Sequence, residues 1–298
     1  MPENGASEQA QRGLHALNPF AKHDSYSRQA LLFHKAWSLI TYLLLLITAI
    51  YYDVRAPGEG HYNRSTFWGH NFPTPFKQSA IMTSIYWIVL FVLQSVYIYH
   101  LFVENAGSVT AAANIGSHSI ASNLLLFGFI HLWTRSHFIL AEFLLVINFF
   151  NLSIAYFRHS TLPRLIHIGS LSGVLAWNFV ALYWCGAVMV HAHGLAARVV
   201  ANVFVWGVAA YGGFFLVAFK DYTMGFALSY LSFSTGVGQF LVKNPVLQLQ
   251  WIFAFAIGGL LFLLSLAVGM PGLIGREPFK RGAVVDEDRE RAPLLADE

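Results

Sequence analysis

The chain has 298 residues, of which 56% are apolar or aromatic and only 11% are charged. A soluble protein carries about a quarter of its residues as Asp, Glu, Lys or Arg, so this composition excludes a soluble globular domain and a disordered chain. The formal net charge of +3 is too small to indicate a nucleic-acid partner. The partner that the composition predicts is a lipid bilayer.

Eight long apolar segments follow one another along the chain. They comprise residues 36–52, 79–103, 115–133, 138–157, 165–190, 199–219, 222–242 and 247–270, and of the 18 basic and 15 acidic residues only Glu142 falls inside them. A bilayer core needs about 20 apolar residues in a helix, and a helix satisfies its own backbone in lipid. The sequence therefore predicts an all-α polytopic transmembrane bundle of about eight helices. Seven would remain if 36–52, which is short, or 115–133, which carries two histidines, an asparagine and several serines, did not cross.

The charged residues concentrate towards the two ends of the chain. We predict a polar N-terminal arm over residues 1–35, a transmembrane domain over 36–270, and a disordered tail over 271–298 that mixes charges with Gly and Pro. With eight helices, 12 of the 18 Lys and Arg residues fall on the side that holds both termini. Because cytosolic loops carry the excess of Lys and Arg, both termini are predicted to be cytosolic.

The connection over residues 53–78 is the longest between apolar segments and is rich in proline and in aromatic residues such as Phe67 and Trp68. It either folds over the lumenal mouth of the bundle as a cap, or it anchors at the membrane interface, where aromatic residues are enriched. It also contains Asn63-Arg64-Ser65, an acceptor sequence for N-glycosylation. Asn63 is therefore a glycosylation candidate on the lumenal or outer side.

The C-terminal tail contains the pattern of an acidic dileucine sorting signal, Glu290-Arg291-Ala292-Pro293-Leu294-Leu295. Only cytosolic adaptors can read such a signal, so Glu290, Leu294 and Leu295 are candidate contacts for sorting adaptors. The pattern favours an integral protein of the endomembrane system, in the vacuole or endosome, over one of the endoplasmic reticulum or plasma membrane.

Small residues recur at helical spacing in two of the segments. Helices in lipid approach closely where small side chains line up, and a spacing of three or four residues keeps them on one face. Such faces also suit a homo-oligomer. The predicted packing positions are Gly169, Gly173, Gly225, Ser229, Ser232 and Gly236.

A few polar side chains lie inside the apolar segments. An acidic group at the bilayer centre costs about 2.5–3.5 kcal/mol even on the lenient insertion scale, and Glu142 is the clearest case. It has two interpretations: an interfacial ion pair with Arg135, or an intramembrane proton or cation site. In the second interpretation, a polar pathway would be completed by His131, Asn148 and Gln239.

Histidines are numerous, but their spacing does not complete a metal site. His191 and His193 could supply two nitrogen ligands, yet no cysteine, HExxH motif or carboxylate-rich loop completes the set that a structural or catalytic metal needs. They are weak candidates only. We therefore predict no metal and no cofactor.

The sequence carries no phosphate-binding glycine loop, nucleophile elbow or pair of catalytic carboxylates, so an enzyme is not favoured. The alternative that stays open is a lipid-modifying enzyme with its site at the membrane interface, near Arg158 and His159 or near Lys220 and Asp221. Lys220 and Asp221 are more simply explained as ion-paired residues at the ends of helices.

Nine short stretches are distinctive as strings: His70–Phe76, Ile85–Trp87, Asn123–Leu125, Ala141–Phe143, Tyr156–His159, Leu175–Trp177, Phe219–Phe226, Gly236–Phe240 and Gln250–Phe253. They resemble a fungal family of multi-pass membrane proteins, domain of unknown function 1774. The resemblance runs over roughly residues 30–270. It implies a fungal integral membrane protein with no established activity, and it supplies no catalytic residues.

Three functions remain open at this stage. The first is transporter-like handling of a small solute, ion or proton along the pathway through Glu142. The second is a non-catalytic scaffold or sorting protein that works through its small-residue faces and its tail. The third is the interfacial lipid-modifying enzyme.

Overall fold

The structure is a computed structural model that describes residue 20 and residues 23–58, 64–70, 72–159, 161, 163–242 and 249–273. In this part of the chain eight helices form an all-helical bundle, which confirms the predicted fold class. They are α1 Arg28–Val54, α2 Ala80–His100, α3 Ala106–Thr134, α4 Phe138–Arg158, α5 Arg164–Met189, α6 Leu195–Ala218, α7 Tyr222–Leu241 and α8 Leu249–Leu273.

Two helices begin well before the apolar segments that predicted them. α1 begins at Arg28, inside the predicted polar arm, because the side chain of Ser27 accepts a hydrogen bond from the Ala30 amide (3.2 Å). α3 begins at Ala106, where Asn105 accepts a hydrogen bond from the Ser108 amide (3.1 Å). Capping side chains satisfy the free amides of a first turn, so they set the start of a helix independently of hydropathy.

Seven of the eight helices are long and apolar enough to cross a membrane, which is compatible with an integral membrane protein. The two segments that looked weakest, 36–52 and 115–133, belong to α1 and α3, and both helices are among the seven. The exception is α7, whose serines, glycines and Gln239 lower its hydropathy.

α5 is the central helix of the bundle. In its most apolar stretch 78% of the residues are buried, against 28% in α1 and in α4. Its first part contains a π-helical turn over Ile168–Ser172. On this turn a side chain at Gly169 would collide with the backbone of α2 at Leu93 and Gln94, so this glycine permits the closest approach between the two helices.

Residues 64–70 and 72–79 of the long connection lie across one end of the bundle, which we call the loop end. The Phe67 amide donates to the Tyr52 carbonyl in α1 (2.7 Å), and Trp133 Nε1 in α3 donates to the Phe67 carbonyl (2.9 Å). A side chain at Gly238 in α7 would collide with the backbone of residues 77–79. The connection is therefore held by helices from both halves of the chain. The opposite end, where α1 begins, is the tail end.

Candidate functional site: a cavity between the first three helices

A cavity of about 450 Å³ lies between α1, α2 and α3. The aromatic rings of Phe67 and Trp68 close it at the loop end, and Trp177 of α5 forms part of its inner wall. α1 and α2 make few contacts with each other, and the cavity occupies the space between them. Its other lining residues are Tyr42, Leu45, Leu46, Ala49, Ile50, Asp53, Val54, Ser84, Trp87, Ile88, Phe91, Val92, Ser95, Leu126, Phe129 and Ile130.

Apart from Asp53 at the loop end, the polar side chains in the cavity wall have hydrogen-bond partners within the protein. The Tyr42 hydroxyl donates to the Phe91 carbonyl (3.1 Å) and lies 2.7 Å from the Ser95 hydroxyl. Near the loop end, Trp68 Nε1 donates to the Ser84 hydroxyl (3.0 Å). Because these groups already have partners, the inner wall presents a hydrocarbon-like surface.

The cavity opens to the outside between α1 and α2. Four of its lining residues are also exposed on the outer surface: Ile50 (59%), Val54 (69%), Ile88 (62%) and Val92 (60%). Apolar surface is therefore continuous from the outer face of these two helices to the interior of the cavity. In a bilayer, a hydrocarbon chain could enter without crossing a polar barrier.

Aromatic packing fixes the loop end of this cavity. The ring of Trp68 stacks on Trp184 of α5 (centroids 5.5 Å apart), and Trp184 contacts Trp133 (4.3 Å). Close by, His70 Nε2 bonds to the Trp133 carbonyl (3.0 Å), and its ring lies 5.3 Å from that of Phe138. Burial lowers the pKa of His70, and the bond to Trp133 opposes part of that change.

Two of the predicted pathway residues lie at the interface of α4 and α5. Glu142 is half-buried beside Cys185, and one of its carboxylate oxygens, Oε2, is buried without a hydrogen-bond partner among the described residues. Deeper in the same interface, Asn148 donates to the amide oxygen of Asn178 (2.9 Å), and Asn178 donates to the Leu145 carbonyl (3.0 Å). The fully buried Leu145 side chain lies on α4 between the two polar positions.

The other two pathway residues lie elsewhere. His131 packs against the ring of Tyr52 of α1 (5.1 Å) and bonds to the Phe127 carbonyl of its own helix (3.0 Å). Gln239 donates to the carbonyls of Thr74 and Lys77 (3.2 Å each), so it holds the long connection against α7. The structure thus distributes the four candidates over three separate interfaces.

The predicted ion-pair residues have other contacts in the described chain. Arg135 donates to the Tyr52 hydroxyl (3.3 Å) and to the His131 carbonyl (3.2 Å). Asp221 accepts from the Thr223 and Met224 amides, which cap α7, and from the Tyr156 hydroxyl (2.7 Å). This carboxylate therefore terminates a helix and joins it to α4. Lys220 adopts a positive φ of 52° in the turn before α7.

The predicted small-residue positions lie at buried helix contacts. In α5, a side chain at Gly173 would collide with Leu90 of α2, and the Gly173 carbonyl accepts from the Tyr86 hydroxyl (2.6 Å). In α7 the stripe faces α8, with which α7 makes the most extensive helix contact of the described chain. Its members are Gly225 against Ser265, Ser229 bonded to the Gly258 carbonyl (2.7 Å), Ser232 bonded within its own helix, and Gly236 against Phe255.

The remaining candidates divide into those that the structure describes and those that it does not. The rings of His191 and His193 lie 6.3 Å apart, and the described residues contain no group of three His, Cys, Asp or Glu side chains that could hold a metal. Asn63 and the tail residues Glu290, Leu294 and Leu295 lie outside the described residues. They stay predictions.

Sequence reasoning missed the cavity and two of the buried polar pairs. His118 Nδ1 lies 2.8 Å from Asn151 Oδ1 across α3 and α4, and Asn178 faces Asn148. Each pair joins polar residues of two apolar segments, which is a usable signal. For the cavity, the sequence contains only a weak signal, which is the presence of the small residues Ala49, Ser84 and Ser95 among large apolar neighbours.

Comparison with known proteins shows that the end of the chain is similar to one family. Residues 198–295, which include most of α6, all of α7 and α8, and most of the tail, match the family of the fungal protein of unknown function DUF1774. The predicted resemblance is confirmed there. Of the nine strings, Phe219–Phe226, Gly236–Phe240 and Gln250–Phe253 lie within the match, and the other six precede it. The cavity also precedes it.

The chain is also similar to one curated protein. An uncharacterised protein of Schizosaccharomyces pombe is 35% identical over 109 residues, which are 36% of this chain and 36% of the relative. The chain thus matches only about a third of that relative's length. No solved structure matches this chain.

Proposed function

We propose that the protein is a multi-pass integral membrane protein that binds the hydrocarbon chain of a membrane lipid between α1 and α2. One observation carries the proposal: the cavity of about 450 Å³, which is lined by apolar side chains and opens onto the outer surface of the apolar helices. Ligand sites in proteins commonly have volumes of about 300–1,000 Å³ and mainly apolar walls.

Packing energy explains why a lipid chain would occupy this space. An empty cavity leaves its wall atoms without contacts on one side and forfeits their dispersion energy. Water would gain little there, because a buried water needs two to four polar partners and the polar groups of the inner wall bond to one another. A bilayer supplies hydrocarbon chains at high local concentration, directly at the opening.

Photocrosslinking tests this function. The purified full-length protein is reconstituted with a phospholipid that carries a diazirine in its acyl chain, and the crosslinked peptides are identified by mass spectrometry. We expect labels on α1 and α2 residues of the cavity, and we expect Ala49→Phe to remove most of them because the added ring fills the space.

The matched control is Val217→Phe, which adds the same ring to an exposed position (72%) on α6. Melting curves of both variants establish that they are folded. Labelling of the cavity residues that is no higher than labelling of the outer face of α6, or labelling that Ala49→Phe leaves unchanged, would refute lipid binding at this site.

Proton or ion handling at Glu142 is a second candidate function. The observation that favours it is Oε2 of Glu142, which is buried without a partner among the described residues, at the interface of α4 and α5 that also contains Asn148. Proton flux in proteoliposomes should fall in Glu142→Gln and stay at the wild-type rate in Glu104→Gln, an exposed control. Equal flux in all three proteins would rule this candidate out.

The proposal also includes the membrane in which the protein lies and the side of that membrane on which its termini lie. We place the protein in the endomembrane system with cytosolic termini, on the strength of the Lys and Arg distribution and the dileucine pattern. Replacement of Leu294 and Leu295 by Ala should then send a tagged protein to another membrane. An unaltered location would remove the sorting role of the tail.

A further inference from the structure

We infer that the loop end of the cavity selects lipids whose head group carries an ammonium group, through the Asp53 carboxylate and the Trp68 ring. The inference rests on the proposed lipid binding and adds the class of lipid. Walls of hydrocarbon character cannot distinguish one lipid from another, because a bilayer offers the same chains on many head groups. Selection therefore has to come from polar groups at the loop end, where Asp53 adjoins the exposed lining residue Val54.

Asp53 is the source of charge at this position. Of the described residues that line the cavity, it is the one with an ionisable acidic or basic side chain, and it is exposed. Two cations of this region contact tyrosine rings: Arg55 lies over Tyr51 (6.0 Å) and Arg135 over Tyr52 (5.6 Å). Asp53 is therefore the negatively charged group among the described lining residues.

The position of Asp53 along α1 strengthens the negative potential. It lies in the last turn of the helix, where free carbonyl groups give the macrodipole its negative end and where a cation is the stabilising partner. That turn contains no basic residue. A carboxylate there is unfavourable by itself, and a bound cation would relieve both the side-chain charge and the dipole.

Trp68 provides the second contact for a cation. Its Nε1 is held by Ser84 and one side of its ring system is stacked on Trp184, while the residue also lines the cavity. The ring is thus fixed in orientation in the lining of the cavity to which Asp53 also belongs. Ammonium groups bind over aromatic faces, with tryptophan the strongest of the three rings, and this is how choline groups are commonly recognised.

The chemistry distinguishes three kinds of head group. A choline or ethanolamine head carries the positive charge that Asp53 attracts. A glycerol head on the same phosphate lacks it, and its net negative charge is repelled by the carboxylate. Choline has no N–H donor and relies on the ring, whereas ethanolamine can also donate a hydrogen bond to Asp53.

A competition experiment tests the inference. Diazirine phospholipids with identical acyl chains and choline, ethanolamine or glycerol heads are reconstituted separately with the full chain, and cavity labelling is quantified. We expect choline and ethanolamine lipids to label the cavity about threefold to tenfold more than the glycerol lipid, the size of an interfacial cation–π contact combined with an exposed ion pair. With the attraction to Asp53 common to both, choline above ethanolamine would mean that the Trp68 ring contributes more than an N–H hydrogen bond to Asp53, and the reverse order that the hydrogen bond contributes more.

Asp53→Asn should lower labelling by the choline and ethanolamine lipids to nearly that by the glycerol lipid, while Glu104→Gln, an exposed acid at the tail end, should leave the preference unchanged. Equal labelling by all three lipids in the wild type, or a preference that survives Asp53→Asn, would overturn the inference and leave lipid binding standing. Absence of cavity labelling with every lipid would instead refute the proposed function itself.

Discussion

Similar small residues lie at the contact between α7 and α8 and beside the space between α1 and α2. The first region is closely packed, whereas the second contains a cavity. In α7, Gly225, Ser229 and Gly236 are each met by a residue of α8. Between α1 and α2, Ala49 and Ser84 face a cavity. Small residues thus permit close approach but do not cause it. At the loop end, Phe67 and Trp68 occupy the region between the two helices, whereas α7 and α8 meet directly.

The largest effect expected from this comparison is at the α7–α8 contact. A side chain at Gly225 would collide with Ser265 and Leu216, so Gly225→Leu should lower the free energy of unfolding by about 2–3 kcal/mol through overpacking. The control is Gly213→Leu on α6, where a Cβ meets nothing within 4 Å. Thermal unfolding in detergent measures both. Equal melting temperatures of the two variants would show that the contact between α7 and α8 accommodates the added side chain without loss of stability.

The same added side chain should have the opposite effect in the cavity. Ala49→Leu fills part of the free volume, and cavity filling commonly stabilises a protein by about 0.5–1 kcal/mol. We expect its melting temperature in detergent to equal or exceed that of the wild type. A loss as large as that of Gly225→Leu would contradict the free volume between α1 and α2.

A smaller loss of stability is expected when a hydrogen bond between α7 and α8 is removed. Ser229→Ala removes the bond from the Ser229 hydroxyl to the Gly258 carbonyl (2.7 Å), and such bonds between membrane helices contribute about 0.6 kcal/mol on average. Ser232→Ala is the matched control, because its hydroxyl bonds within its own helix (2.8 Å). The two variants should differ in denaturant midpoint, and identical midpoints would contradict the interhelical role.

The smallest effect is expected at His70, which helps to close the loop end. Burial lowers its pKa in the folded protein, so the folded state disfavours the charged ring. Above about pH 6.5, the pKa of His70 in the unfolded chain, the ring is neutral in both states and the folded protein keeps its full stability. As the pH falls from there towards the lower pKa of His70 in the folded protein, this part of the stability is lost. His70→Gln should flatten the change in melting temperature between about pH 7.5 and pH 5.5. An unchanged slope in the variant would exclude His70 as the cause.

Much of the bundle was predictable because lipid imposes strict rules on a spanning chain. The eight long apolar segments contain a single charged residue, Glu142, and this pattern predicted the helices. Each helix of the described chain contains most of one of these segments. The starts of α1 and α3 were misplaced because Ser27 and Asn105 cap them in polar sequence. The candidate site could not be predicted, since its walls come from α1, α2, α3 and α5, whose separation is set by packing.

The polar residues illustrate the same limit. Glu142 and Asn148 were recognised from their cost in lipid, but their partners depend on how α4 and α5 are rotated against each other. The pairing of Asn178 with Asn148 could therefore be identified only from the structure. Gln239 lies on the small-residue stripe of α7 as its spacing indicated, yet its amide holds the backbone of the long connection at Thr74 and Lys77.

Three of the eight tryptophans, Trp68, Trp87 and Trp177, border the cavity. Indole emission is sensitive to heavy atoms at contact distance, so an acyl chain brominated along its length would quench these three while it occupies the space. Because Trp37 and Trp206 are exposed on the outer surface (44% each), the part of the quenching that Ala49→Phe removes would report occupancy without attaching any label to the protein.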